Sequence, residues 1–173
     1  MIGIVVSDSF LLTGKWEKSD VGFTLNAINK IDFNEPISDL IYNESDLNSV
    51  LASALRKAKE IHSFDAIDVL IGLPDVFVDH SVLEKDIDLS KSDYLDYFKW
   101  LEKQKGRPEN QNVYTYGQIY YPAERNIHFC SVPRALVRTL KLSITEMGGY
   151  PLWMGPASTL YLDGSNISES AIS

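Results

Sequence analysis

The spacing of apolar positions along this chain changes several times, and each change marks an element. Ile2–Val6 is a nearly continuous apolar run, the pattern of a strand buried on both faces. Phe10–Trp16 and Val21–Phe33 follow as strands, the second setting Phe23, Leu25 and Ala27, then Ile31 and Phe33, among polar neighbours. Glu17-Lys18-Ser19-Asp20 between them reads as a solvated hairpin turn, so the N-terminal part predicts an antiparallel meander. The period then lengthens. Leu47, Val50, Leu51, Ala54, Leu55, Ala58 and Ile61 recur at helical spacing behind an N-cap at Ser45, with Arg56, Lys57, Lys59 and Glu60 on the wet face. A buried strand, Ile67–Leu73, closes this part of the chain at Pro74.

From Pro74 to Val132 the texture is different. Val76–Leu83 predicts a strand, and Ser90–Lys105 a short amphipathic helix with Leu95, Phe98 and Leu101 inward. Gly106-Arg107-Pro108-Glu109-Asn110 is a break. Val113–Tyr121 and Asn126–Val132 predict two more strands, joined by a Pro122-Ala123-Glu124-Arg125 turn. Beyond them the first pattern returns. Pro133 opens a helix striped by Leu136, Val137, Leu140, Ile144 and Met147, Gly148-Gly149 stops it, and Leu152–Met154 is a short strand. The expected organisation is an α/β core of residues 1–73 plus 133–163, an inserted strand-helix-strand-strand subdomain of residues 74–132, and a polar, flexible tail of residues 164–173.

Composition narrows the function classes. The 173 residues are 45% hydrophobic and 23% charged, within the range of ordinary folded domains. A net charge of −8 with scattered basic residues opposes nucleic-acid binding, which rests on neutralising phosphates. Cys130 is the single cysteine, so no internal disulfide forms and a reducing compartment is expected. No apolar run is long enough for a membrane span, and the N-terminus lacks the basic and apolar regions of a signal peptide. The expectation is a soluble, cytoplasmic protein.

Candidate chemistry is sparse. Ser7-Asp8-Ser9 joins the first two strands, where several nucleotide-binding folds wrap a turn round a phosphate. This turn has one aspartate, no glycine and no basic residue before Lys15. An ordinary tight hairpin is one reading and a degenerate phosphate site the other. His62, His80 and His128 lack the short spacing of a metal site, and Asp79 and His80, adjacent on a strand, point to opposite faces. No metal is expected. Cys130 reads as a packed thiol. Tyrosines are more informative. Tyr94, Tyr97, Phe98 and Trp100 crowd the middle helix, and Tyr114, Tyr116 and Tyr120 share one face of the following strand. They cover a small sheet from water, or they form a protein interface of large area and polar tips.

The order of elements resembles the N-terminal half of actin-like ATPases of the PilM kind from type IV pilus assembly, and the cytoplasmic domain of GspL from type II secretion. "IGIVVSDS", "LNSVLASALRKAKEI", "VLIGLPD" and "CSVPRALVRTLKLSITEMGGYPLWMGP" carry the resemblance over nearly the whole chain. It implies an actin-like lobe with an RNase H-like core and a mixed sheet. In that family the first strand runs like I-G-I-D-I-G-S-S. Laid on this chain, the acidic position falls on Val5 and the glycine on Ser7, and Leu11 and Leu12 stand where lysine is common. Valine cannot hold magnesium or its water shell, so the resemblance implies a non-catalytic protein with Ser7, Asp8 and Ser9 as a degenerate phosphate turn. No cofactor is expected, with ATP and magnesium bound only if another lobe completes the site.

The role implied is a cytoplasmic scaffold of a type IV pilus or type II secretion assembly platform, peripheral to the inner membrane through a partner. That partner would be an inner-membrane assembly protein, whose cytoplasmic segment docks as an extended peptide near Tyr114, Tyr116 and Tyr120. Two enzyme readings compete with it. One is the first lobe of an actin-like ATPase whose second lobe lies outside this sequence. The other is an RNase H-like nuclease, which needs an acidic first strand that Val5 denies.

Overall fold

The computed structural model of the chain describes residues 1–19, 22–84, 89–104, 114–120 and 126–158. The expected turn Glu17-Lys18-Ser19-Asp20 is instead strand as far as Ser19, in register with Gly22. Asp20, the break at 106–110, the turn at 122–125, the strand ends at Val113 and Tyr121, and the tail at 164–173 lie outside the described residues. In chain order the elements are β1 (Ile2–Val6), β2 (Phe10–Ser19), β3 (Gly22–Asp32), the four-residue α1 (Ile37–Leu40), α2 (Glu44–Ile61), β4 (Asp68–Leu73) and a 3-10 turn (Asp75–Phe77). Then come β5 (Asp79–Glu84), α3 (Lys91–Gln104), β6 (Tyr114–Tyr120), β7 (Asn126–Pro133), α4 (Arg134–Glu146) and β8 (Tyr150–Pro156).

Five strands form one mixed sheet in the order β3-β2-β1-β4-β8. The meander of β1, β2 and β3 is antiparallel, while β4 pairs parallel to β1 and β8 parallel to β4. Strand pleating sorts side chains between two faces. Ile2, Ile4 and Val6 join Val69, Ile71 and Met154 in the larger core, against Leu47, Leu51 and Leu55 of α2 and Leu136, Leu140 and Ile144 of α4. The opposite face is built differently. There Gly3 pairs with Gly14 and Gly72 with Gly155, leaving gaps without side chains among Val5, Leu12 and Leu70. Trp16 and Trp153 lie over these gaps. A Cβ on Gly3 would stand 3.1 Å from Trp16 Nε1, and one on Gly155 would stand 2.5 Å from Trp153 Cζ2. So β1 is fully buried on one face and half-buried on the other, where the apolar run predicts burial on both.

The second sheet has three antiparallel strands in the order β5-β7-β6. Its middle strand faces two cores. Ile127 and Phe129 pack with Tyr94 and Phe98 of α3, the Phe98 and Phe129 rings stacking with centroids 4.7 Å apart. Cys130 and Val132, which alternate with them, belong to the larger core with α4. One continuous strand thereby fastens the small sheet to the main body.

Local chemistry moves several expected boundaries. The cap of α2 is Asn43 rather than Ser45: its side chain accepts the Asp46 N–H at 3.4 Å and donates to the Asp46 carboxylate at 2.6 Å. The acidic residue at N3 thus pairs with the cap side chain while the Asn43 backbone N–H goes to the Leu40 carbonyl, and Ser45 has no such partner three residues on. The expected strand Val76–Leu83 splits, because Pro74 starts a 3-10 turn that leaves Val76 76% exposed before β5 begins. Pro133 sits at the N-cap of α4 and is not its first residue. The short strand expected at Leu152–Met154 extends to seven residues, with a bulge at Leu152 between Pro151 and Trp153. Pro151 and Pro156 are tolerated in β8 because it is an edge strand.

Candidate functional site

In open α/β sheets ligands gather at the carboxyl ends of the parallel strands. Here that crest holds the turn after Val6, the turn after Leu73 and the end of β8. Ser7 donates its backbone N–H, the group a phosphate turn offers to an anion, to the Phe10 carbonyl at 2.8 Å. The Asp8 carbonyl accepts the Ile37 N–H at 2.8 Å, and the Ser9 carbonyl accepts that of Phe33 at 2.8 Å. The Asp8 carboxylate takes the Ser38 N–H at 2.8 Å on one oxygen and the Ser38 hydroxyl at 3.1 Å on the other. The turn and α1 are thus laced together, with Asp8 capping the helix from a distant part of the chain.

The second turn repeats the device. Asp75 accepts the Ser158 hydroxyl at 2.8 Å and its backbone N–H at 3.4 Å, joining the end of β4 to the end of β8. Val5, at the position where a magnesium-holding carboxylate would stand, lies in register between Leu12 and Gly72. Among the described residues no group of three or more His, Cys, Asp or Glu side chains could hold a metal ion.

The remaining candidates scatter. His62 is buried at the end of α2, its Nε2 3.2 Å from the Asn29 amide nitrogen. That same nitrogen donates to the Ala27 carbonyl at 3.0 Å, so His62 Nε2 is the acceptor of the pair. His80 is exposed on β5, and His128 lies opposite Val82 on the next strand. Cys130 is buried. Backbone register puts Tyr116 opposite Ser131 and Tyr120 opposite Ile127.

Two features escaped sequence reasoning. Tyr97 and Trp100 stack on the outer side of α3 with centroids 5.8 Å apart, and both are about half exposed. The residue pattern placed both among the aromatics of α3 but not their pairing, which lies off the face of Tyr94, Leu95 and Phe98 that meets the small core. The other is a polar junction where α2, α4 and β4 meet. Lys59 Nζ donates to the Met147 carbonyl at 2.8 Å and to Asp65 at 3.2 Å. The hydrogen bond from Lys59, that from Ser63 and the lysine charge hold the Asp65 carboxyl below its ordinary value. Nothing in residue spacing announces a lysine that caps a helix 88 positions away.

No family model matches the chain, and no curated protein matches it by sequence. Solved structures match it by shape. Together the meander, the parallel strands and the helices behind them make a mixed α/β fold of the PilM and GspL kind. One such structure is the cytoplasmic domain of EpsL, an inner-membrane component of the type II secretion system of Vibrio cholerae. It superposes with a TM-score of 0.54 and 11% identity over 90% of this chain and 56% of that one. Another is the PilM–PilN type IV pilus biogenesis complex, with a TM-score of 0.54 and 10% identity over 90% of this chain and 46% of that one. The chain spans about half the length of the structures it matches, and at such identity the likeness is one of fold.

Proposed function

We propose that this chain is a non-catalytic cytoplasmic scaffold of a type IV pilus or type II secretion assembly platform. In this reading residues 1–73 plus 133–163 form an actin-like lobe with an RNase H-like core, and residues 74–132 an inserted subdomain. The lobe sits at the inner membrane by binding the cytoplasmic segment of a membrane-embedded assembly protein. The matched structures support the setting, one being an inner-membrane secretion component and the other a two-protein pilus complex.

The observation that carries the docking site is the construction of the small sheet. Its middle strand is locked between two cores, while β5 is an edge strand with Val82 53% exposed. An extended segment laid along β5 would take backbone hydrogen bonds from a rigid strand, with side-chain pockets supplying selectivity. The tyrosine strand β6, with Tyr114, Tyr116 and Tyr120, forms the other edge and the second part of the proposed surface. Isothermal titration of the partner's cytoplasmic peptide against Tyr116→Ala and Tyr120→Ala tests that part. Affinity is expected to fall at least tenfold, and unchanged affinity removes the tyrosines from the surface.

A second reading is favoured by one fact, the half-length match to the solved structures. The chain would then be the first lobe of an actin-like ATPase, with Ser7, Asp8 and Ser9 a phosphate turn completed by material outside this sequence. Val5 and the internal hydrogen bonds of the turn argue against it.

A further inference from the structure

Ser49, Ser53 and Lys57 follow one another at four-residue steps on α2 and therefore share one face of the helix. Opposite them the chain leaves β3 through Asp32, Phe33 and Asn34. Between the two lies a pocket of about 130 Å³ whose floor is Phe33, Val50 and Ala54. Sites for drug-sized ligands run to about 300–1,000 Å³, so this pocket has room for one side chain or a small acid and not for a nucleotide.

The polar rim is one-sided. Lys57 supplies an ammonium, Ser49 and Ser53 hydroxyls, and Asn34 an amide. Among the described residues none of these four groups has a protein partner. Asp32 is the single carboxylate lining the pocket, and Lys30 meets its charge at 2.6 Å. What remains is one uncompensated cation and a set of neutral hydrogen-bonding groups above an apolar floor. Hydrogen bonds from a cation to an anionic oxygen are among the stronger ones, and a single positive charge matches a monoanion better than a phosphate carrying nearly two negative charges.

We propose that this pocket binds a carboxylate carried on a short aliphatic arm. The ammonium of Lys57 and the serine hydroxyls take the oxygens, and the methylenes lie on Phe33 and Val50. A glutamate side chain of a partner protein and a free small carboxylic acid present the same chemistry. The site is built from α2 and the end of β3, elements that the peptide-docking surface does not use, so the two can fail independently.

The test is an NMR titration of the ¹⁵N-labelled chain at constant ionic strength. The probes are butyrate, butylammonium, phosphate, and the capped peptides acetyl-Ala-Glu-Ala-amide and acetyl-Ala-Gln-Ala-amide. Butyrate and the Glu peptide are expected to give saturable amide shifts confined to residues 32–34 and 49–57. Lys57→Gln is expected to weaken both at least tenfold, and Lys57→Arg to retain part of the affinity. Lys57 is exposed, so an unchanged melting temperature will certify that the variants fold. Tighter binding of the Glu peptide than of butyrate identifies a partner's side chain as the natural occupant, and the reverse order identifies a free acid. Absence of saturable shifts overturns the proposal. So does full binding by Lys57→Gln, or equal shifts from butylammonium, phosphate or the Gln peptide.

Discussion

The Asp8 carboxylate takes both the backbone N–H and the hydroxyl of Ser38, at 2.8 and 3.1 Å, and so ties the β1–β2 turn to the start of α1. The aspartate that sequence reasoning offered to a phosphate is a helix cap acting across 30 residues. Asp8→Ala is expected to cost about 1 kcal/mol, the usual value of a lost cap. In a domain of this length that is roughly 2–4 °C in melting temperature. Ser38→Ala, which loses the hydroxyl and keeps the N–H, should cost less. Differential scanning calorimetry of the two variants checks the order.

With Asp8 so engaged and valine at position 5, nucleotide should not stabilise the chain. A ligand at about 100 times its dissociation constant stabilises by roughly 2.7 kcal/mol, an easily measured rise. Thermal-shift titration with Mg-ATP and with ADP is expected to be flat up to millimolar concentration. A saturable rise would favour the ATPase-lobe reading.

Gly155 and Trp153 test the glycine-bearing face of the large sheet. Gly155→Ala places a methyl 2.5 Å from Trp153 Cζ2, and the ring, itself buried, must move. Overpacking of this sort costs about 1–3 kcal/mol. Adding Trp153→Phe removes the obstructing atom, so the double variant should be less unstable than the sum of the two single changes. Strict additivity in urea denaturation would show that the contact carries no strain.

These relationships mark how far residue patterns reach. The strand and helix order, the meander and the amphipathic helix faces follow from local periodicity, and Leu47 to Ile61 could be read as a helix without any tertiary knowledge. Capping depended on a reciprocal pair, Asn43 with Asp46, which a search for one good cap residue passes over. Val76 continued an apolar pattern yet is exposed, because Pro74 and the Asp75–Ser158 tie set the backbone there. Phe129, Cys130, Ser131 and Val132 are buried in succession because two cores meet opposite faces of one strand, which residue pattern alone did not separate. Ser38, Lys59 and the pocket on α2 were silent, since each gains its meaning from residues far away in sequence.

The Lys59–Asp65 junction carries a pH signature. Lys59 and Ser63 hold the Asp65 carboxyl below its ordinary value of 3.8, so its contribution to stability is present above that value. It is lost as pH falls through 3.8 toward the lower folded-state value. The difference in melting temperature between the parent chain and Asp65→Asn should therefore be constant from neutral pH to about pH 4 and shrink below it. A difference that persists unchanged into acid would mean that the charge does not contribute.

The two cores should also separate experimentally. Phe129→Ala removes the ring stacked on Phe98, a change of about 3–5 kcal/mol at a fully buried aromatic. Hydrogen exchange should rise first in α3 and β5, while β1 and β4 keep their protection. Val132→Ala, on the other face of the same strand, should raise exchange in α4 and the large sheet as well. Uniform loss of protection in both variants would mean that the chain opens as one unit.

The claim that this chain binds a membrane protein through its small sheet meets its most direct test in a photo-crosslinking residue at Val82, introduced into the protein in its native cells. Val82 lies 53% exposed on the β5 edge, so substitution there leaves both cores intact. The expected result is a crosslink to the cytoplasmic segment of an inner-membrane assembly protein, absent when the same group replaces exposed Ile28 on β3. Crosslinking from Ile28 but not Val82, or none to any inner-membrane protein, would contradict the account.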